Sequence, residues 1–248
     1  MGNDENLVCR LKKALYGLKQ APRAWYYRLD KYLHQQGFSK GSADSNLYTK
    51  NENDKLLIVV VYVDDIIFGS NEESMSQKFA SDMQQEFEMS LLGELTFFLG
   101  LQVQQEPDGI FLSQEKYLKK ILKKYGMEDC KPVSTPMITG CNLSSHDDSP
   151  TMNQPEYRSM IGSLLYLTGT RPDIMHAVGI FGRFQANPKE SHLQAVKIIF
   201  KYLQGTQDFG LWYPKNVDLT LHAYIDADWA GNIDDRKSTS GGAFFMGP

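Results

Sequence analysis

Residues 59–68, VVVYVDDIIF, place two neighbouring carboxylates between two apolar segments. The pattern predicts a buried β-hairpin with Asp64 and Asp65 at its tip. A turn chosen for geometry alone favours Asn-Gly or Asp-Gly, because tight hairpins need positive φ at a central residue, and this one has no glycine. Two like charges repel each other and are costly to remove from water, so the pair predicts a bound cation. An ordinary turn is the alternative interpretation.

Composition narrows the class of protein. The 248 residues, 42% hydrophobic and 23% charged, suffice for one or two folded domains. Because the net charge is −4, a nucleic-acid partner would need local basic patches. The three cysteines show no Cys-x-x-Cys spacing, which favours a reducing compartment over a disulfide framework or a zinc site. No apolar run is long enough to span a bilayer. We therefore predict an intracellular, cytoplasmic protein without a membrane partner.

Hydrophobic periodicity predicts an α+β chain without internal repeats. The turn at Pro107-Asp108-Gly109 joins two predicted strands, and helical spacing dominates from residue 113 until the strand period returns after Leu211. The predicted helices cover 23–36, 75–87 and 114–127, a segment striped from Tyr157 to Leu165, one opened by Pro172, and one from Pro188 to Gly205 with Asn187 as N-cap. The predicted strands cover 47–48, 55–62, 66–69, 97–103, 110–112, 219–225 and 238–248.

The first 31 residues form a basic segment that also carries aromatic side chains. Strand-borne carboxylates beside such a segment suit a magnesium site that handles phosphates. The alternative is an ordinary solvated surface. Seven basic residues (Arg10, Lys12, Lys13, Lys19, Arg23, Arg28, Lys31) stand against three acidic ones (Asp4, Glu5, Asp30).

The combination of LYGLKQAPRAWYYRL with the later YVDD resembles the reverse transcriptase of copia-type LTR retrotransposons. The resemblance continues through SNLYTK, FFLGLQV, FLSQEKYLKKIL, GMEDCKPVSTPM, RSMIGSLLYLTGTRPDI and AYIDADWAGNIDDRKSTSG, so it covers nearly the whole chain from about Val8. It implies a partial polymerase palm, an antiparallel sheet with helices, over residues 1–113. It further implies a helical thumb or connection over 114–207 and the first strands of a ribonuclease H-like domain over 208–248.

The resemblance also implies a catalytic centre for RNA-directed DNA synthesis. Asp64 would be a principal ligand of two Mg²⁺ ions, and Asp65 would assist near the primer 3′ hydroxyl. That hydroxyl attacks the α-phosphate of a deoxynucleotide, and two cations stabilise the attacking and leaving oxygens. Tyr62 and Val63 would lie under the primer terminus. The nucleotide pocket would be bordered by Tyr16, Gly17, Leu18, Lys19 and Gln20, with the Gly17 backbone allowing close approach.

The resemblance also implies roles for three further segments. Leu99 and Gly100 in FFLGLQV resemble the primer grip. Asp226 matches the first catalytic aspartate of ribonuclease H, whereas Asp228, on the same side of the strand, has no assigned role. The lysine-rich helix resembles a thumb helix that follows the duplex backbone by charge, the alternative being a solvated helix face; its candidate residues are Lys116, Lys119, Lys120 and Lys123.

The chain also departs from the family pattern. The family uses three metal-binding carboxylates, the first on a strand well upstream of residue 16, and neither Asp4 nor Asp30 replaces it. The remaining ribonuclease H ligands are likewise missing. We therefore predict a truncated or decayed reading frame, inactive as an isolated polymerase, whose partners are a primer–template duplex, deoxynucleotides and the remainder of a Pol polyprotein. A nucleic-acid-binding remnant without chemistry and a relic without function are the alternatives.

Overall fold

The computed structural model describes residues 10–247. This part of the chain combines six α-helices with antiparallel sheets, which confirms the predicted mixed class. The elements in chain order are α1 (Ala21–Gln35), β1 (Ser39–Lys40), β2 (Leu47–Glu52), β3 (Lys55–Tyr62), β4 (Asp65–Ser70), α2 (Glu73–Glu86), β5 (Phe97–Phe98), β6 (Leu101–Glu106), β7 (Gly109–Ser113), α3 (Glu115–Lys124), α4 (Gln154–Leu167), α5 (Met175–Gly182), α6 (Glu190–Gln204), β8 (Gly210–Pro214), β9 (Leu221–Ala227) and β10 (Ser240–Met246).

The chain divides after Glu94 into two compact units. The three-part division into palm, thumb and ribonuclease H segments remains a prediction. No helix between residues 10 and 247 has the length and apolar character that a membrane crossing needs.

The first unit is a two-layer arrangement of one sheet and two helices. Its strands pair in the order β1-β2-β3-β4. Along β3, Val59 and Val61 are buried, whereas Ile58 and Tyr62 between and beside them are exposed, because one face of the sheet is covered and the other is not. The covered face packs against apolar side chains of α1 and α2, which include Leu29, Leu33, Phe79 and Met83.

The second unit is built around a helical core. Helices α3, α4, α5 and α6 contribute its buried side chains, including Leu122, Ile161, Phe181 and Phe200. A four-stranded sheet in the order β5-β6-β7-β8 and a separate hairpin of β9 and β10 complete the unit. Every described side chain of β9 is exposed, so this hairpin adds little to the core.

Most predicted elements are confirmed, with several corrections. Pro172 opens a 3-10 turn, Pro172–Ile174, whereas α5 itself begins at Met175, and the short strand β1 was not predicted. The segment 97–103 is not one strand, because the chain reverses at Leu99-Gly100 so that β5 pairs with β6. Helix α6 is not capped by Asn187; it begins at Glu190, and the backbone N–H of Lys189 donates to His192 Nδ1 at 3.0 Å. Strand β8 was not separately predicted, and it pairs with β7 from about 100 residues earlier in the chain.

Candidate metal-binding hairpin and nucleic-acid surface

The β3–β4 hairpin carries both candidate metal ligands. Tyr62 pairs with Asp65, so the connection consists of Val63 and Asp64, and the tip lies one residue earlier than the sequence predicted. Val63 has a φ of +56°, whereas two-residue turns with positive φ at the first position usually place glycine there. A β-branched residue in this region is strained by about 1–3 kcal/mol. The surrounding structure must therefore hold this turn in place.

A tryptophan from α1 supplies that support. The indole N–H of Trp25 donates a hydrogen bond of 2.8 Å to the Val63 carbonyl oxygen. The Trp25 ring in turn meets the ring of Phe87 edge-on, with centroids 5.2 Å apart. The turn that contains Asp64 is thus tied to α1, the helix in which the basic segment ends.

The two carboxylates are accessible rather than buried. Asp64 and Asp65 are both exposed, so the predicted burial of this pair is wrong. The cost of removing two charges from water therefore does not explain why the two carboxylates lie side by side here. Cross-strand partners project from the same face of a sheet, which places Asp65 with Tyr62 on the face opposite Val61. Among the described residues, no group of three or more histidine, cysteine, aspartate or glutamate side chains could together hold a metal ion.

Asp30 binds neighbouring side chains of its own unit and does not lie with the Asp64–Asp65 pair in any group of three or more described residues that could hold a metal ion. Its Oδ1 accepts hydrogen bonds from the Tyr48 hydroxyl at 2.6 Å and from Lys40 Nζ at 3.0 Å. The hydrogen bond from Tyr48, followed by that from Lys40, lowers the pKa of the Asp30 carboxyl despite the opposing effect of burial. The carboxylate therefore anchors α1 to the sheet.

The candidate nucleotide-pocket residues form an exposed turn before α1. The Leu18 N–H donates to the Leu15 carbonyl oxygen at 3.2 Å, and Gly17 has a φ of +88° with open space where a Cβ would project. Glycine is therefore required by the turn itself, while its surroundings leave room for a ligand. Tyr16 is 89% exposed, and Lys19 and Gln20 are exposed as well.

The candidate primer-grip residues also form a strained turn. Leu99 and Gly100 have φ values of +49° and +83°. The hydroxyl of Tyr166, on α4, donates to the Leu99 carbonyl oxygen, and a Cβ added to Gly100 would overlap that hydroxyl. Glycine at position 100 is thus required both by the backbone conformation and by the packing of Tyr166.

Helix α3 presents its lysines to solvent. Leu118, Ile121 and Leu122 face the core, and the candidate lysines all lie on the exposed side. Lys119 forms an ion pair with Glu115, and Lys116 Nζ lies 5.5 Å from the centre of the Phe97 ring. Lys120 and Lys123 are exposed and form no ion pair with the described residues, so their charges are available to a phosphate backbone.

The aspartates of β9 differ in their surroundings. Asp226 is exposed and pairs with Gly241 of β10. The Asp228 carboxylate instead accepts backbone hydrogen bonds of 3.0 Å from Thr239 and 3.1 Å from Gly231, which lower its pKa. Asp228 shapes the connection between the strands, which leaves Asp226 as the freer carboxylate.

Comparison with known proteins identifies the family. The sequence matches the family described as reverse transcriptase (RNA-dependent DNA polymerase) over residues 1–139. The Retrovirus-related Pol polyprotein from transposon RE1 of Arabidopsis thaliana is 42% identical over 242 residues, which is 98% of this chain and 16% of the polyprotein. This chain belongs to the reverse transcriptase family.

Other relatives of this reverse transcriptase chain agree. The Retrovirus-related Pol polyprotein from transposon TNT 1-94 of Nicotiana tabacum is 38% identical, covering 97% of this chain and 19% of that protein. The Uncharacterized mitochondrial protein AtMg00810 of Arabidopsis thaliana is 38% identical over 191 residues, covering 77% of this chain and 79% of the relative. The chain thus spans less than a fifth of the polyproteins it matches. No solved structure matches the chain significantly. The predicted resemblance to copia-type Pol polyproteins is confirmed.

Sequence reasoning missed two residues that support candidate functional turns. Trp25 lies within the predicted helix 23–36 and Tyr166 follows the predicted stripe that ends at Leu165, and the sequence predicted a supporting role for neither. Each donates a hydrogen bond to the carbonyl oxygen of a non-glycine residue with positive φ in a candidate functional turn. The signal available in sequence was the presence of bulky residues, Val63 and Leu99, where a tight turn favours glycine.

Proposed function

We propose that this chain carries the metal-binding hairpin and part of the primer–template surface of an RNA-directed DNA polymerase. The observation that carries the proposal is the exposed Asp64–Asp65 pair beside a turn held at positive φ, in a member of the reverse transcriptase family. Strained turns persist where the surrounding structure over-determines them, and they cluster at active sites.

The donor set fits Mg²⁺. This ion prefers oxygen ligands and is commonly bound by one or two carboxylates together with substrate phosphates and water. Asp64 and Asp65 supply two carboxylates, and their exposure leaves the remaining positions to phosphate oxygens. When bound, two Mg²⁺ ions would stabilise the attacking and leaving oxygens of an in-line phosphoryl displacement. The role of the protein is to hold both carboxylates at a fixed strand tip.

The nucleic acid would meet several exposed groups of the chain. In this proposal Tyr62 and Val63, beside the aspartates, contact the primer terminus. Leu99 and Gly100 form the primer grip. The exposed turn of Tyr16, Gly17, Lys19 and Gln20 borders the deoxynucleotide, and the phosphate backbone is followed by Lys116, Lys119, Lys120 and Lys123.

Residues 208–248 would begin a ribonuclease H-like domain. Asp226 is its proposed metal ligand, since its carboxylate is not used by the loop that engages Asp228. The palm and thumb assignments for residues 1–113 and 114–207 belong to the same proposal.

Metal binding at the hairpin can be tested directly with Mn²⁺ as a probe for Mg²⁺. Binding to the chain is followed by electron paramagnetic resonance in Asp64→Asn and Asp65→Asn variants. We expect each variant to weaken binding by roughly tenfold or more, because even outer-sphere partners of metals contribute on this scale. The matched control is Asp54→Asn. Asp54 is an exposed aspartate in the turn between β2 and β3, and its φ of +64° is one that asparagine also adopts readily. Equal affinity in all four proteins would contradict the metal site.

Primer extension separates catalysis from binding alone. A primed RNA template is incubated with the chain, deoxynucleotides and Mg²⁺. Incorporation that Asp64→Ala abolishes would show that the chain itself is a polymerase and would contradict the predicted inactivity. Duplex binding without incorporation supports the second candidate function, a non-catalytic nucleic-acid-binding protein.

The second candidate is favoured by Lys120 and Lys123 of α3, which are exposed and form no ion pair with any of residues 10–247. A Lys120→Ala/Lys123→Ala variant is expected to reduce the slope of log affinity against log salt by about 1.4–1.8, since each phosphate contact contributes about 0.7–0.9. The control removes Lys78, an exposed lysine of α2, a helix that covers the face of the sheet opposite Asp65. An unchanged slope in the α3 variant would remove this helix from the interface.

A further inference from the structure

We infer that Trp25 is a positioning residue for the metal-binding hairpin, acting through its hydrogen bond to the Val63 carbonyl oxygen. The inference rests on the proposed function, because it assigns Trp25 the task of orienting a carboxylate that binds metal. Trp25 contacts neither substrate nor metal in this scheme. It acts on Asp64 through the peptide group between Val63 and Asp64.

The conformation of Val63 is unusual within this protein. The other described non-glycine residues with positive φ are Asn53, Asp54, Leu99, Asn216, Ala230 and Arg236. Asparagine and aspartate adopt such angles readily, whereas a β-branched side chain is a genuine outlier. Val63 is the β-branched member of this set, and it directly precedes a candidate metal ligand.

The indole is itself fixed by its neighbours. Its ring meets Phe87 at an interplanar angle of 80°. On the same helix, the Arg28 guanidinium lies 5.0 Å from the centre of the Phe87 ring and forms an ion pair of 2.9 Å with Glu86. The donor that holds Val63 is therefore anchored where α1 meets the end of α2.

The hydrogen bond opposes the motion that would relieve the strain. The φ of Val63 is the torsion about its N–Cα bond, so relief of the strain rotates the Tyr62–Val63 peptide relative to the Val63 carbonyl group. Because the Tyr62–Asp65 pair fixes both ends of this two-residue turn, that change requires a compensating rotation about the Val63 Cα–C bond, which would turn the Val63 oxygen away from the indole N–H. The same rotation would redirect the Asp64 side chain. Holding one carbonyl oxygen thus fixes both the turn and the first carboxylate.

The test compares Trp25→Phe with the wild-type chain. Phenylalanine retains an aromatic ring but has no N–H, so we expect Mn²⁺ affinity to fall roughly fivefold, as for loss of one hydrogen bond of about 1 kcal/mol. Hydrogen exchange of the peptide 59–68, measured by mass spectrometry in metal-free buffer, should accelerate by a similar factor. Tyr27→Phe, which removes an exposed hydroxyl from the same helix, is the matched control and should change neither readout.

Rescue distinguishes positioning from general support of the core. Val63→Gly removes the strain, because glycine adopts positive φ readily. Adding Trp25→Phe to Val63→Gly should therefore change Mn²⁺ affinity less than twofold. If Trp25→Phe does not fold, site-specific replacement of Trp25 by benzothienylalanine, which keeps the bicyclic shape without the N–H, takes its place in both assays.

The outcomes separate this inference from the proposed function. If Asp64→Asn leaves Mn²⁺ binding unchanged, the metal site fails, while the exchange experiment still decides whether Trp25 holds the turn. If Mn²⁺ binds at Asp64 but loss of the indole N–H alters neither affinity nor exchange, the positioning role is overturned. An equal loss of affinity in the Val63→Gly background would also reject it, because Trp25 would then act through packing alone.

Discussion

Replacing Arg171 by alanine should destabilise the second unit more than any other single arginine change there. The side chain is 2% exposed. Its guanidinium donates to both carboxylate oxygens of Asp173, at 3.0 and 2.7 Å, and to the backbone oxygen and hydroxyl of Thr206, each at 2.7 Å. It also lies over the rings of Tyr202 and Phe209. These contacts join the turn that precedes α5 to the last turn of α6 and the residues that follow it.

The expected magnitude follows from what alanine leaves behind. Removing one partner of a buried ion pair costs about 3–5 kcal/mol. The Asp173 side chain is 33% exposed and keeps a 2.7 Å hydrogen bond from the Tyr202 hydroxyl, so the lower end, about 3 kcal/mol, applies. For a unit of this size that corresponds to a fall in Tm of roughly 6–12 °C.

Urea and thermal unfolding of Arg171→Ala at pH 7 measure this effect. Arg158→Ala is the matched control, because Arg158 is exposed and donates one hydrogen bond, to the Gln185 carbonyl oxygen; it should cost less than about 1 kcal/mol. A loss in Arg171→Ala no larger than in this control would refute the reasoning.

The pH dependence provides an independent check on Asp173. Burial alone would raise the pKa of this carboxyl, but hydrogen bonds from Arg171 and Tyr202 outweigh it and hold the pKa below its usual range. Its stabilising contribution is therefore present above the unfolded-state pKa of about 3.9 and is lost as pH falls through the lower folded-state pKa. The difference in stability between wild type and Arg171→Ala should shrink across that window.

Three further changes test other parts of the structure. Tyr166→Phe should cost about 1 kcal/mol and accelerate hydrogen exchange of residues 97–103, since the Leu99 carbonyl oxygen loses its donor; unchanged exchange would exclude that support. Gly100→Ala should lower the free energy of unfolding by more than about 1 kcal/mol, whereas Gly69→Ala, at a site with open space and no positive φ, should have a smaller effect. Burial lowers the pKa of the His192 imidazole, so the stability that the neutral ring gives the folded state is complete above the unfolded-state pKa of about 6.5 and is lost as pH falls below it. His192→Gln should therefore reduce the loss of folding stability between pH 7 and 5, and an unaltered pH profile would contradict this.

Local sequence patterns predicted most elements because they report on local preferences. The alternation in β3 and the apolar stripe of α3 correspond to the observed buried faces. The break at Leu99-Gly100 was missed because the segment FFLGLQV is mostly apolar and contains a single glycine, so its pattern resembles one strand. The contact that stabilises the break comes from Tyr166, 67 residues later in the chain. The burial expected for Asp64 and Asp65 was wrong because the apolar flanks extend only to the base of the turn.

By itself, the order of amino acids determined the family, the periodicity of the helices and strands, and the adjacency of two carboxylates at a hairpin. These properties need only neighbouring residues. Tertiary structure alone decided that Val63 adopts positive φ with Trp25 as its hydrogen-bond donor, and that β8 completes the sheet of β7. Both depend on packing between segments distant in sequence, where the energy of the assembled contacts exceeds the local preference of any single residue.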